Sequence, residues 1–214
     1  MELQDQLVYF GCLFVAIILH EISHGAVALA FGDDTAKRAG RLTLNPIPHI
    51  DPFGSIILPA MMTFLGVGAF GWAKPVPVNP NKLRHPRRQM LYVGLAGPAT
   101  NFLLMALAAL AARWLYRSSS GVYYAAFTDL PIGLQVLFWF AFANLLLGLF
   151  NLLPIPPLDG SSLIERVLPE AWLPGWYRFR PYGFLVLFVL VFWLDVFGTI
   201  FRPFQEALSN FVFS

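Results

Sequence analysis

The chain has 214 residues, of which 57% are hydrophobic and only 12% charged, with a formal net charge of +2. A soluble domain carries roughly 25% charged residues, so this composition excludes an ordinary soluble globular protein. The small net charge gives no global electrostatic case for binding nucleic acid. Cys12 is the single cysteine, which rules out an intramolecular disulfide.

The N-terminus, MELQDQ, is acidic and lacks a basic leader region, so the apolar run that follows reads as a retained span rather than a cleaved signal. A membrane helix needs roughly 20 mostly apolar residues. The first stretch that fits runs from about Leu7 to Phe31 and contains His20-Glu21-Ile22-Ser23-His24. The next runs from about Met90 to Ala112, a third from about Ile132 to Leu153, and a fourth from about Tyr182 to Ile200. A short amphipathic tail, FRPFQEALSNFVF, follows and is expected to lie in the interface. Tyr9, Trp114, Trp172 and Trp176 fall near span ends, where aromatic anchors belong.

Between the first two spans lies another apolar stretch, Gly54 to Trp72, broken by Pro59 and further glycines. Its flanks read as extended. Arg41 to Asn45 alternates before an Asn-Pro turn, and Lys74 to Val78 carries prolines at alternate positions, as edge strands tolerate. Lys37, Arg38, Arg41, Lys74, Lys82, Arg84, Arg87 and Arg88 all fall in this first connection, against only Arg113 and Arg117 in the second. The positive-inside rule then makes the first connection cytoplasmic. That holds only if Gly54 to Trp72 dips into the membrane and returns. Irregular backbone is tolerated there where protein or a wet cavity covers it. The arginine cluster Arg84, Arg87 and Arg88 also suits contact with anionic membrane lipid.

The expected fold is therefore all-α and polytopic, one membrane-embedded domain over residues 1–214. It has about four transmembrane helices, a re-entrant β-hairpin-like segment over about 41–80 and a C-terminal interfacial helix.

His20 and His24 stand at i and i+4, so they project from one helix face and can grip one metal ion. Glu21 sits beside them, off that face, where it can take a proton from water. Catalytic zinc usually has three protein ligands and one open position, so a third ligand must come from elsewhere. His49, Asp51, His85, Asp129, Asp159 and Asp195 are the polar residues to weigh. Asp159 is favoured: Pro154, Pro156 and Pro157 break the helix before it. With a re-entrant first connection, spans one and three run the same way, and Asp159 falls at the same end as His24. His49 and Asp51 read as turn residues, and His85 as a solvated surface group. In span three Asn144, Gly148 and Asn151 share a face, where helix packing is a rival explanation for Asn144. Gly94, Gly97 and Asn101 read as a small-residue packing face, with Asn101 ranked low as a site residue.

HEISH within a first membrane helix, LNPIPHIDPFGSIILP, FGWAKPVPVNP, GLAGPATN and FNLLPIPPLDG together resemble the site-2 protease family of intramembrane metalloproteases, over about residues 15 to 162. The resemblance implies one Zn2+ per chain, held by His20, His24 and Asp159, with Glu21 activating water and Asn151 holding the substrate backbone or the transition-state oxygen. It implies a membrane re-entrant β-structure near the site and, as partners, single-pass transmembrane protein substrates. The segment from Arg113 to Pro131 is too short for the PDZ domain that many relatives carry, so a short form is expected. A bacterial inner membrane, with the site toward the cytoplasm, is the expected location. The competing reading is a membrane zinc-binding or zinc-transport protein without hydrolysis, which would use the same ligands and have no need of Glu21.

Overall fold

The computed structural model describes residues 3–57, 61, 73–119, 127–192 and 196–214. All regular structure among them is helical. The long helices are α1 (Leu3–Ala30), α3 (Pro86–Ser118) and α4 (Ile132–Asn151). These three are long and apolar enough to cross a membrane. Shorter helices are α2 (Thr35–Arg38), α5 (Ser161–Val167), α6 (Leu173–Phe179), α7 (Gly183–Phe192) and α8 (Val196–Phe213).

Pairwise contacts give the directions of the long helices. His20 and His24 of α1 meet Asn101 and Val93 of α3, so α3 runs antiparallel to α1. Asn101 meets Asn144, and Leu115 lies beside Gly133, so α3 is also antiparallel to α4. It follows that α1 and α4 run parallel. The end of α1 and the start of α3 therefore share one end of the bundle, and the connection between them leaves and returns on the same side. The C-terminus of α4 lies at that end too.

Small side chains let the helices approach closely. Ala108, Ala109 and Ala112 of α3 pack with Leu134, Phe138, Ala141 and Leu145 of α4 in one buried cluster. Leu103, Leu107, Leu110 and Trp114 of α3 and Ile132 and Val136 of α4 stay exposed, as a lipid-facing surface requires.

The end of α1 is set locally. Gly32 adopts φ +105°, open to glycine at no steric cost. Gly32 N–H then donates to Leu29 O at 3.0 Å and Asp33 N–H to Ala28 O at 2.9 Å, closing a Schellman motif. This turn carries Asp33 into the protein, where it is fully buried.

One expectation changes. Neither Arg41–Asn45 nor Lys74–Val78 forms a strand. Pro75 and Pro77 have no N–H to give a ladder, and the neighbouring amides go elsewhere. Lys74 N–H donates to His49 O at 2.9 Å, and Val76 N–H and Asn79 N–H donate to side-chain carboxylates. Pro52–Ile57 forms a π-helical turn. Most of the expected membrane dip from Gly54 to Trp72, residues 58–60 and 62–72, lies outside the described residues. The amphipathic tail packs on the bundle: Leu208 and Val212 of α8 join the α3–α4 core. The guanidinium of Arg113 donates to Phe211 O and to Ser214 Oγ, fastening this end to α3. The expected fourth span is covered by α7 and the beginning of α8, with residues 193–195 outside the described residues.

Candidate metal centre

α1 presents His20 and His24 one turn apart, both at most 8% exposed. The third group arrives from the loop after α4. There Gly160 N–H donates back to Asn151 O at 2.7 Å, and Leu158 N–H donates to Ile155 O at 2.9 Å. These bonds fold LPIPPLDG onto the helix end and bring Asp159 beside α1. His20 Nε2 lies 3.0 Å from His24 Nε2 and 3.0 Å from Asp159 Oδ2, and His24 Nε2 lies 3.3 Å from the same oxygen.

This triangle fits zinc. Nitrogen and oxygen ligands roughly 2.0–2.1 Å from one tetrahedral ion stand about 3.3 Å from each other. The donor chemistry fits as well. His24 Nδ1 lies 2.6 Å from Val93 O. A carbonyl only accepts, so Nδ1 donates and the Nε2 lone pair faces the centre. Apart from the two imidazole nitrogens, buried Asp159 Oδ2 has no polar partner among the described residues, and with both Nε2 atoms bare it is left for a cation.

Glu21 stands off the ligand face. Its Oε2 accepts the backbone N–H of Val76 at 2.7 Å. The stretch around Val76 is held from three further sides. Arg41, 5% exposed, donates to Lys74 O and to Pro75 O. His49, fully buried, accepts Lys74 N–H at its carbonyl and bonds Thr43 O through Nε2 at 2.9 Å. Asp33 Oδ2 accepts Asn79 N–H at 2.6 Å, while its Oδ1 accepts Thr35 N–H at 3.0 Å and the Thr35 hydroxyl at 2.5 Å. Burial works against ionising Asp33. The Thr35 hydroxyl, then the Asn79 and Thr35 amides, outweigh it and hold the carboxyl below its ordinary value.

His20, Glu21, His24, Asn151 and Asp159 all line one cavity of about 670 Å³. Asn151 is half-buried there, and its Nδ2 donates to Leu147 O of its own helix at 3.0 Å. The other residues weighed as ligands lie elsewhere. Asp51 Oδ1 accepts Gly54 N–H at 2.7 Å, a turn contact as expected. His85 caps α3, its N–H donating to Gln89 Oε1 at 2.9 Å. Asp129 sits in a 3-10 turn before the start of α4, at the opposite end of the bundle. Asp195 lies outside the described residues.

Two residues matter more to the site than their sequence context indicates. Asn101, taken as part of a packing face, reaches the site: its Oδ1 lies 2.5 Å from His20 Nδ1. Its spacing from Gly97, four residues on one face, was the available signal. Arg41, which the sequence places among the topology charges and at the head of an expected edge strand, is a buried clamp, and nothing in its local sequence separates it from Lys37 or Arg38.

A bundle of apolar helices that buries a His-His-Asp triad beside a glutamate defines the class of a membrane-embedded metalloenzyme site. Sequence comparison agrees. The model of peptidase family M50 matches residues 120–194. "Putative zinc metalloprotease YwhC" of Bacillus subtilis is 43% identical over 180 residues, which is 83% of this chain and 77% of that protein. "Putative zinc metalloprotease Rip2" of Mycolicibacterium smegmatis is 32% identical over 178 residues, 83% of this chain and 63% of that protein. "Zinc metalloprotease MJ0392" of Methanocaldococcus jannaschii is 26% identical over 166 residues, 35% of its own length. No solved structure matches the chain. The chain belongs to peptidase family M50, the site-2 protease family.

Proposed function

We propose that this protein is an intramembrane zinc endopeptidase that hydrolyses a peptide bond in or near the transmembrane segment of single-pass membrane proteins, in the manner of regulated intramembrane proteolysis. The observation that carries the reading is the convergence of His20 Nε2, His24 Nε2 and Asp159 Oδ2 at 3.0–3.3 Å in a cavity that also holds Glu21. On this reading the chain is a single membrane-embedded domain over residues 1–214, holding one zinc ion through these three side chains.

When bound, zinc supplies Lewis acidity and makes water a nucleophile at neutral pH. Glu21 accepts the proton of the attacking water and delivers it to the departing amine nitrogen. The Val76 N–H occupies Oε2 and thereby orients the carboxylate. Asn151 donates to the developing oxyanion once its amide turns from Leu147 O into the cavity. A substrate helix must unwind before its carbonyl is exposed, and each unpaired backbone group costs several kcal/mol in lipid. The re-entrant segment, with the 73–79 stretch as its described end, offers backbone partners to the unwound chain.

The basic residues Lys37 to Arg88 lie in the connection at the site's end of the bundle, which supports a cytoplasmic active site. The connection's two ends lie on one side, which supports a dip that returns rather than a crossing. A bacterial inner membrane is the proposed location. Hydrolysis is separated from zinc storage or transport by Glu21→Gln. A hydrolase loses cleavage and keeps zinc, whereas a binding or transport protein is unaffected by the change.

A further inference from the structure

We propose that Asn101 and Asn144 form a buried relay that fixes the tautomer of His20, so that its Nε2 is kept bare for the metal. The inference rests on the metal-centre reading above and adds two positioning residues to it. Each link follows from which groups can donate. Asn144 Nδ2 lies 2.8 Å from Phe140 O. A backbone carbonyl only accepts, so this end of the Asn144 amide must be the NH2. Its Oδ1 is then the atom facing Asn101, 2.8 Å from Asn101 Nδ2. That oxygen accepts, so Asn101 must present its NH2 there and its Oδ1 to His20. The His20 contact, 2.5 Å at Nδ1, therefore requires an N–H on Nδ1. Reversing Asn144 sets its oxygen against Phe140 O, and reversing Asn101 alone sets its oxygen against Asn144 Oδ1.

Both asparagines are fully buried, so no water substitutes for a lost link. The relay spans three helices: Asn144 on α4, Asn101 on α3 and His20 on α1. His24 gets the same outcome in one step from Val93 O. The two imidazoles thus reach one tautomer by different routes, and the packing of α3 between α1 and α4 is tied to the electronic state of the ligand. Partners of this kind orient a ligating imidazole and raise its basicity, and losing one costs about 10–100-fold in metal affinity.

Packing alone predicts a different order of variants. Leucine branches as asparagine does, is larger and wholly apolar, and suits an apolar helix interface, whereas aspartate there is a buried charge. The relay needs an acceptor toward His20 Nδ1, which Asn101→Asp keeps and Asn101→Leu removes. The test measures zinc affinity of the purified full-length protein by competition with a chelator, alongside thermal melting. The relay predicts that Asn101→Leu and Asn144→Leu each bind zinc about 10–100-fold more weakly, while Asn101→Asp and Asn144→Asp bind more tightly than the matching leucine variants. Equal or tighter zinc binding by the leucine variants overturns it. If the leucine variants do not fold, 15N-histidine spectra of the zinc-loaded wild type decide. A proton on His20 Nδ1 with metal at Nε2 supports the relay, and metal at Nδ1 overturns it. A wild type that binds no zinc overturns the metal-centre reading together with the relay. A wild type that binds zinc beside an equally competent Asn101→Leu overturns the relay alone.

Discussion

The carboxylate of Glu21 accepts the backbone N–H of Val76 at 2.7 Å, so the proposed general base is held by an irregular stretch through a residue 55 positions further along the chain. A hydrogen bond to a charged group is worth about 1.5–3 kcal/mol, and each 1.36 kcal/mol on a barrier is a factor of ten. Val76→Pro removes the donor and leaves the carboxylate unoriented. Cleavage should fall about 10–100-fold by those figures, with zinc content unchanged. Val76→Ala keeps the N–H and should stay close to wild type. Turnover measured beside zinc stoichiometry checks both.

Gly97 is where α3 touches the candidate metal centre. A Cβ there would stand 2.5 Å from His24 Nε2 and 2.6 Å from His20 Nε2, on the side chains that must converge. Gly97→Ala should therefore displace the imidazoles and lower zinc affinity at least as far as losing a supporting partner does, about 10–100-fold. Ala99→Leu, on the exposed side of the same helix, should bind zinc as wild type does. Metal analysis after dialysis against a chelator separates them.

Asp33 should make the fold sensitive to acid. Its carboxyl sits below its ordinary value, so it contributes stability above the unfolded-state value of about 3.9, and that stability is lost as pH falls through the lower folded-state value. Asp33→Asn should melt lower than wild type near neutral pH, by an amount set by hydrogen bonds worth about 1.5–3 kcal/mol. The gap between the two should close as the pH is taken below about 3.9. Melting curves of both proteins across that range test it. A gap independent of pH would show that the charge of Asp33 has no part.

Much of the site was legible in the chain because its signals are local. His20 and His24 are one turn apart on an apolar helix, and the prolines around Asp159 announce a broken helix end. Charge asymmetry then implied that α1 and α4 run parallel, and the contacts through α3 give that arrangement. Three features were not legible. The Asn101–Asn144 contact depends on which faces of α3 and α4 meet, and the small-residue spacing of GLAGPATN fits packing equally well. The 73–79 stretch alternates like a strand, but its prolines and its bonds to Glu21, Asp33 and His49 withdraw it from any ladder. The amphipathic tail has the composition of an interfacial helix, and only the buried contacts of Leu208 and Val212 place it on the bundle.

The central claim is that zinc at His20, His24 and Asp159 and the carboxylate of Glu21 together hydrolyse a peptide bond. Wild type and Glu21→Gln are each reconstituted into liposomes with a panel of single-pass membrane proteins, and zinc content and cleavage are read on the same samples. The account predicts one zinc per chain in both, cleavage within the membrane segment by wild type, and a loss of about 10²–10⁴-fold in the variant, as expected for removal of a general base. Undiminished cleavage by zinc-loaded Glu21→Gln would contradict it.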